Sequence, residues 1–164
     1  MSTHIRTFVH RAAAVALVVL AVDELLKNAA RVSLKLCTTP PVTNCDRLDL
    51  LGPLWLVHTA NAGSVLGFTQ GWWVWVLLAG VGVLLVPIYA RWLGLDNWGA
   101  VLAVGLQAGG ALGNLLDRIA FGGASDVLYV GGGYTWNLAD VALAAGTLLA
   151  TWTLLRGRLA TRAA

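Results

Sequence analysis

The chain has 164 residues, of which 58% are hydrophobic and 12% charged, and its net charge is +3. That balance excludes an ordinary soluble globule of one domain, and the absence of any basic tract excludes a nucleic-acid surface. What remains is a polytopic membrane protein.

A helix that crosses hydrocarbon needs about 20 largely apolar residues. The first such segment is 8–27. Arg6 and Arg11 precede the apolar stretch Ala12–Val22, as in a secretory leader, but Asp23-Glu24-Leu25-Leu26-Lys27 follows where a small-x-small cleavage site would stand. A retained span is expected. The next stretch, about 28–71, is long for a connection. Val32–Leu36 alternates like a strand, Leu48–His58 is rich in Leu, Val and Trp around Pro53, and Asn61-Ala62-Gly63-Ser64 has turn chemistry. A small β-rich subdomain lying on the membrane surface is expected there. Cys37 and Cys45 stand eight apart in it. They are either a disulfide, if the stretch is extracytoplasmic, or two thiols; with the three His they make no zinc spacing.

Segments 72–90 and 98–116 are uncharged throughout, and 136–155 is broken only by Asp140. Trp72, Trp73, Trp92, Trp98 and Trp136 mark the edges of these runs, where interfacial aromatic belts sit. Gly105, Gly109 and Gly113 recur every four residues in the third span, a spacing that lets a neighbouring helix approach closely. Gly122-Gly123 and Gly131-Gly132-Gly133 punctuate the connection 118–136. The expected fold is an all-α integral membrane protein of a single domain, 1–164, with four transmembrane helices and a small extracytoplasmic β-rich subdomain. Four spans put both termini on one side, and the Arg residues flanking the first and last spans place that side in the cytoplasm.

Carboxylates at membrane depth cost about 3 kcal/mol each on insertion scales and mark functional sites. Asp23, Asp117 and Asp140 interrupt or end apolar runs, and Asp126 lies in the connection between the last two. On helices, Asp23 and Lys27 share a face, as do Asn114, Asp117 and Arg118, and Asn137 and Asp140. In the four-span topology all three faces lie at one membrane boundary. Asp117 with Arg118 reads as a buried ion pair that organises the loop. Two carboxyls held close share one proton, so that one serves as general base on water while the other donates to the substrate. Ser is scarce and neither Ser-x-x-Lys nor Gly-x-Ser-x-Gly occurs, which leaves an Asp-based mechanism as the best-supplied chemistry.

These residues carry a resemblance. Asp23-x-x-x-Lys27, Asn61-x-Gly63, Gly113-Asn114-Leu115-Leu116-Asp117-Arg118 and Asn137-Leu138-Ala139-Asp140 occur in the order and positions of the bacterial lipoprotein signal peptidase family, signal peptidase II, and the resemblance covers nearly the whole chain. It implies a membrane aspartyl endopeptidase of the inner membrane that removes signal peptides from prolipoproteins, cutting on the amino side of a diacylglyceryl-modified Cys. It implies Asp126 and Asp140 as the catalytic pair. Asp23, Lys27, Asn61, Gly63, Asn114, Asp117, Arg118 and Asn137 would support the site or contact the substrate. No cofactor or metal is expected, the partners are the prolipoprotein and membrane lipid, and a monomer is expected.

The chain departs from the family at apolar neighbours of these motifs: Ser64, Val65 and Leu66 after Gly63, Ala124 and Val127 around Asp126, and Trp136 before Asn137. Two other classes also place Asp and Lys in membranes. A small ion-coupled transporter or channel subunit would show repeat symmetry or mid-span polar groups, whereas here Gln107 alone is deep. A non-catalytic lipid- or peptide-binding homologue of the same fold would tolerate loss of either Asp.

Overall fold

The structure, a computed structural model, describes residues 3–38, 42–61, 97–131 and 134–163. Helix α1 (Thr3–Ser33) is followed by strands β1 (Leu48–Leu51) and β2 (Leu54–Asn61). Helix α2 (Trp98–Phe121), strands β3 (Ala124–Val130) and β4 (Tyr134–Trp136) and helix α3 (Leu138–Ala163) complete the order. Each helix is long and apolar enough to cross a membrane. A helix meets its own backbone hydrogen bonds, which is what hydrocarbon demands of an apolar segment. The span expected at 72–90 lies outside the described residues, as does Gly63.

α2 packs against both of the other described helices, and its glycines set the spacing. A Cβ at Gly105 would stand 2.5 Å from Val15 Cβ, and one at Gly109 2.7 Å from the Ala16 carbonyl oxygen, so the backbones of α1 and α2 are in close contact as the four-residue glycine spacing predicts. Gly146 of α3 does the same toward the Ala103 carbonyl oxygen, at 2.9 Å. Phe8 and Ala12 close the far end of the bundle against Ala100, Val101 and Val104. Gly109→Val forces α1 and α2 apart, and a loss of about 1–3 kcal/mol is expected from overpacking. Thermal unfolding in detergent checks it, and an undiminished midpoint would show that the helices do not meet there.

The sheet is antiparallel in the order β1-β2-β3-β4. Gly52, at φ 54°, and Pro53 turn β1 into β2. The segment 118–136, expected as a connection, is largely regular: α2 continues to Phe121, then β3 and β4 add a second hairpin to the sheet. Gly122 makes the switch possible. It adopts the left-handed conformation at φ 77°, and its N–H closes the helix on the Arg118 carbonyl at 3.1 Å.

One expectation fails. Val32–Leu36 is not a strand: α1 runs to Ser33, and the Leu34 N–H bonds the Ala30 carbonyl at 2.9 Å. The reason is burial. A helical turn brings Ala30 and Leu34 onto one face against Val127, and all three are buried together, which the extended form would not achieve. Beyond the helix, Cys37 bridges Thr59 of β2 and is disulfide-bonded to Cys45, with Cα atoms 5.5 Å apart.

Register decides what the sheet presents. Leu56 pairs with Leu128 but Thr59 pairs with Asp126, so β2 carries one extra residue between them. Side chains alternate between faces, so this bulge brings Thr59 and Asn61 onto the face of Asp126; without it Asn61 would point the other way.

Candidate active site

Three helices and the sheet meet at one buried polar network. On α1, Asp23 and Lys27 lie one turn apart and are fully buried, with Lys27 Nζ 2.6 Å from Asp23 Oδ2. Lys27 also lies 3.1 Å from Asp117 Oδ2 on α2. Arg31, one further turn along α1, pairs with Asp117 Oδ1. Two acids and two bases thus neutralise one another where an isolated charge would be costly. Asp117 is thus paired from α1. Consecutive helical residues do not face each other, so Asp117 turns toward α1 while Arg118 donates to the Asn114 carbonyl at 2.9 Å.

The start of α3 is capped reciprocally. Asn137 Oδ1 accepts from the Asp140 N–H at 2.8 Å, and Asp140 Oδ2 accepts from the Asn137 N–H at 3.4 Å. Asp23 Oδ1 takes a third first-turn donor, the Ala139 N–H, at 2.9 Å. Gly113 makes room for it, since a Cβ there would lie 2.6 Å from Asp23 Oδ2. Asp140 therefore sits where unpaired N–H groups and the helix dipole favour negative charge.

Two carboxamides join the two acids. Asn137 Nδ2 donates to Asp126 Oδ1 at 3.1 Å and to Asn114 Oδ1 at 3.0 Å, and Asn114 Nδ2 donates to Asp140 Oδ1 at 2.8 Å. Lys27 Nζ, 3.5 Å from Asn114 Oδ1, fixes which end of that amide turns toward Asp140. Asp126 Oδ2 accepts from Asn61 Nδ2 and Thr135 Oγ1, both at 3.2 Å. Asp126 is 2% exposed. Burial, followed by the charge of Asp140, pushes its pKa up to about 6, against the three side-chain hydrogen bonds that favour the ionised form. A carboxyl group whose pKa is raised by burial, joined through one carboxamide to a second carboxyl group, is equipped for paired proton transfer.

Such a shift is also a statement about stability. Between the ordinary value of 3.8 and about 6, the folded chain holds a proton on Asp126 that the unfolded chain releases. This contribution is full below the lower value and is lost as pH rises through the upper one. Asp126→Asn should flatten that part of the pH dependence of thermal unfolding; an unaltered slope would mean that folded Asp126 is already ionised there.

The structure joins Asp23, Lys27, Asn61, Asn114, Asp117, Asp126, Asn137 and Asp140 in one network, with Arg118 against its backbone. Arg31, Ser125 and Thr135 were not anticipated. Arg31 had a signal, as it continues the Asp23–Lys27 face by one turn; Thr135 had none.

The model of the family described as Signal peptidase (SPase) II matches residues 15–156, which hold every residue of this network. The chain belongs to the signal peptidase II family. The peptidase is 36% identical over 151 residues to the lipoprotein signal peptidase of Teredinibacter turnerae, covering 87% of this chain and 86% of that one. To the lipoprotein signal peptidase of Moorella thermoacetica it is 33% identical over 148 residues, covering 85% and 89%. Its fold is shared with a bacterial membrane enzyme solved at 2.3 Å resolution, at a TM-score of 0.74 and 21% identity, over 88% of this chain and 87% of that one. It is a membrane protein and an aspartic peptidase, with lipoprotein signal peptidase activity. Ala124 and Val127, two of its departures from the family pattern, are buried in the fold, and Val127 packs on Ala30 and Leu34.

Proposed function

We propose that Asp126 and Asp140 are the catalytic pair, and that the peptidase cleaves prolipoproteins on the amino side of a diacylglyceryl-modified Cys. The observation that carries this reading is the Asn137 carboxamide, bonded to Asp126 and to the Asp140 N–H at once. Asp140, as carboxylate, takes a proton from water while the water oxygen attacks the scissile carbonyl. Asp126, as acid, gives its proton to the carbonyl oxygen. In the second step the proton on Asp140 passes to the amide nitrogen and Asp126 takes one back from the tetrahedral diol as the C–N bond breaks. The products are the signal peptide with a free carboxylate and the lipoprotein with a free amino group on its Cys. The pair returns to its starting state and titrates as a unit.

Asp23, Lys27, Asn114, Asp117 and Asn137 hold the geometry, and Asn61, bonded to Asp126, borders the substrate path. The full architecture in this reading has four spans and cytoplasmic termini, works as a monomer, and has its site on the extracytoplasmic side. Leu48, Leu50, Leu51 and Tyr134 on the sheet are exposed, as suits a surface resting against lipid. Acyl chains anchored in hydrocarbon hold the scissile bond at the wet margin, so positioning is supplied by the lipid rather than by the peptide alone.

Purified peptidase given one precursor with and without the diacylglyceryl group tests the substrate assignment. Cleavage confined to the modified form is expected; equal rates on both would reject it.

A further inference from the structure

The strand that carries Asp126 is held from outside the dyad. Arg31 reaches the Ser125 hydroxyl with Nη2 at 2.8 Å and Nε at 3.2 Å. The same guanidinium pairs with Asp117, donates to Asn28 Oδ1 at 2.9 Å, and lies 4.2 Å over the centre of the Phe121 ring. Asp117 in turn accepts from the Ser125 N–H at 2.8 Å, and the Ser125 carbonyl accepts from Asn137 Nδ2 at 3.3 Å. The residue immediately before Asp126 is thus fixed at its hydroxyl, its amide and its carbonyl, and it is 5% exposed. A carboxyl group two bonds from the backbone can be no better placed than the backbone that bears it.

We infer that Arg31 and Ser125 form a positioning clamp for the reaction: Arg31, oriented by Asp117 and Phe121, sets β3 against α1 so that Asp126 meets Asn137 and Asp140. The clamp needs a planar fork with donors in fixed directions, which a lysine ammonium does not provide. Neither residue belongs to the motifs that place the chain in its family. Ser125 stands between Ala124 and Asp126, outside those motifs, and Arg31 lies beyond Asp23-x-x-x-Lys27. The inference rests on the assignment of Asp126 and Asp140 as the catalytic pair.

The test is a double-mutant cycle with kcat and KM measured on a diacylglyceryl-modified precursor for wild type, Ser125→Ala, Arg31→Gln and the double variant. A misplacement of about 1 Å can cost about 100-fold, so a roughly tenfold fall in kcat with unchanged KM is expected for Ser125→Ala. In the Arg31→Gln background the same change should cost less than about twofold, because the contact is already gone. Ser125→Ala removes one hydroxyl and leaves the Arg31–Asp117 pair and the backbone bonds of residue 125 in place, so its unfolding midpoint should stay near wild type, which separates positioning from folding. Three results would overturn the clamp: wild-type kcat in Ser125→Ala, an equal loss in both backgrounds, or a rise in KM at unchanged kcat. Asp126→Asn, run alongside, separates the two ideas. Inactive Asp126→Asn with fully active Ser125→Ala removes the clamp alone, whereas active Asp126→Asn removes the catalytic pair on which it rests.

Discussion

Asp126→Asn and Asp140→Asn should each lower turnover of a diacylglyceryl-modified precursor by about 1,000-fold or more, since paired general acid and base catalysis is worth about 100- to 10,000-fold per group. The substitutions are near-isosteric, so the loss is not one of packing. At position 140 an asparagine can still accept from Asn114 and stay in the first turn of α3, whose N–H groups take an amide oxygen as well as a carboxylate. At position 126 the amide removes a buried acid while Thr135, whose hydroxyl both donates and accepts, can turn to meet it. Both variants should therefore fold and bind but not cut. The decisive measurement is single-turnover cleavage alongside thermal unfolding. Turnover within tenfold of wild type in either folded variant would reject the pair.

The second large effect is on stability. Lys27→Met removes a fully buried ammonium that lies between Asp23 and Asp117. Arg31 still pairs with Asp117, but Asp23 then keeps the Ala139 amide and no cation, and breaking a buried pair from one side costs about 3–5 kcal/mol. Activity should fall as well, because Lys27 sets the orientation of the Asn114 amide that faces Asp140. Neutralising the partner in an Asp23→Asn/Lys27→Met double variant should recover part of the stability, since the uncompensated charge is what costs most. Unfolding midpoints in detergent for the two single variants and the double variant measure this. A double variant less stable than either single one would show that the ion pair is not the source of the effect.

Much of this was legible in the chain because hydrocarbon is a strict solvent. Segments 8–27, 98–116 and 136–155 fall within α1, α2 and α3 or at their edges, since an apolar run in lipid has little choice but to be a helix. The acids stood out for the same reason. Asp23, Asp117 and Asp140 had to be functional or paired, and helical spacing alone put Lys27 beside Asp23 and Asn137 beside Asp140. The glycine spacing of α2 foretold the close approach of α1, because a missing Cβ is a local property of sequence.

Other features depended on distant partners. Whether Val32–Leu36 formed a strand or a last helical turn was decided by Val127, about a hundred residues later, which offers Ala30 and Leu34 a place to be buried. Asp117 has Arg118 next to it in the sequence, but only the fold brings Lys27 and Arg31 of α1 to its carboxylate. The two cysteines allowed either a bond or two thiols until Cys37 was placed beside β2. Asn61 reaches Asp126 only because one extra residue between Leu56 and Thr59 reverses the face it presents, and alternation within a single strand cannot reveal a slip against its neighbour. The sequence by itself determined which groups must be hidden from lipid and which segments cross it. Only the tertiary structure decided which hidden group answers which, because hydrogen bonds and ion pairs act over about 3 Å and are blind to distance along the chain.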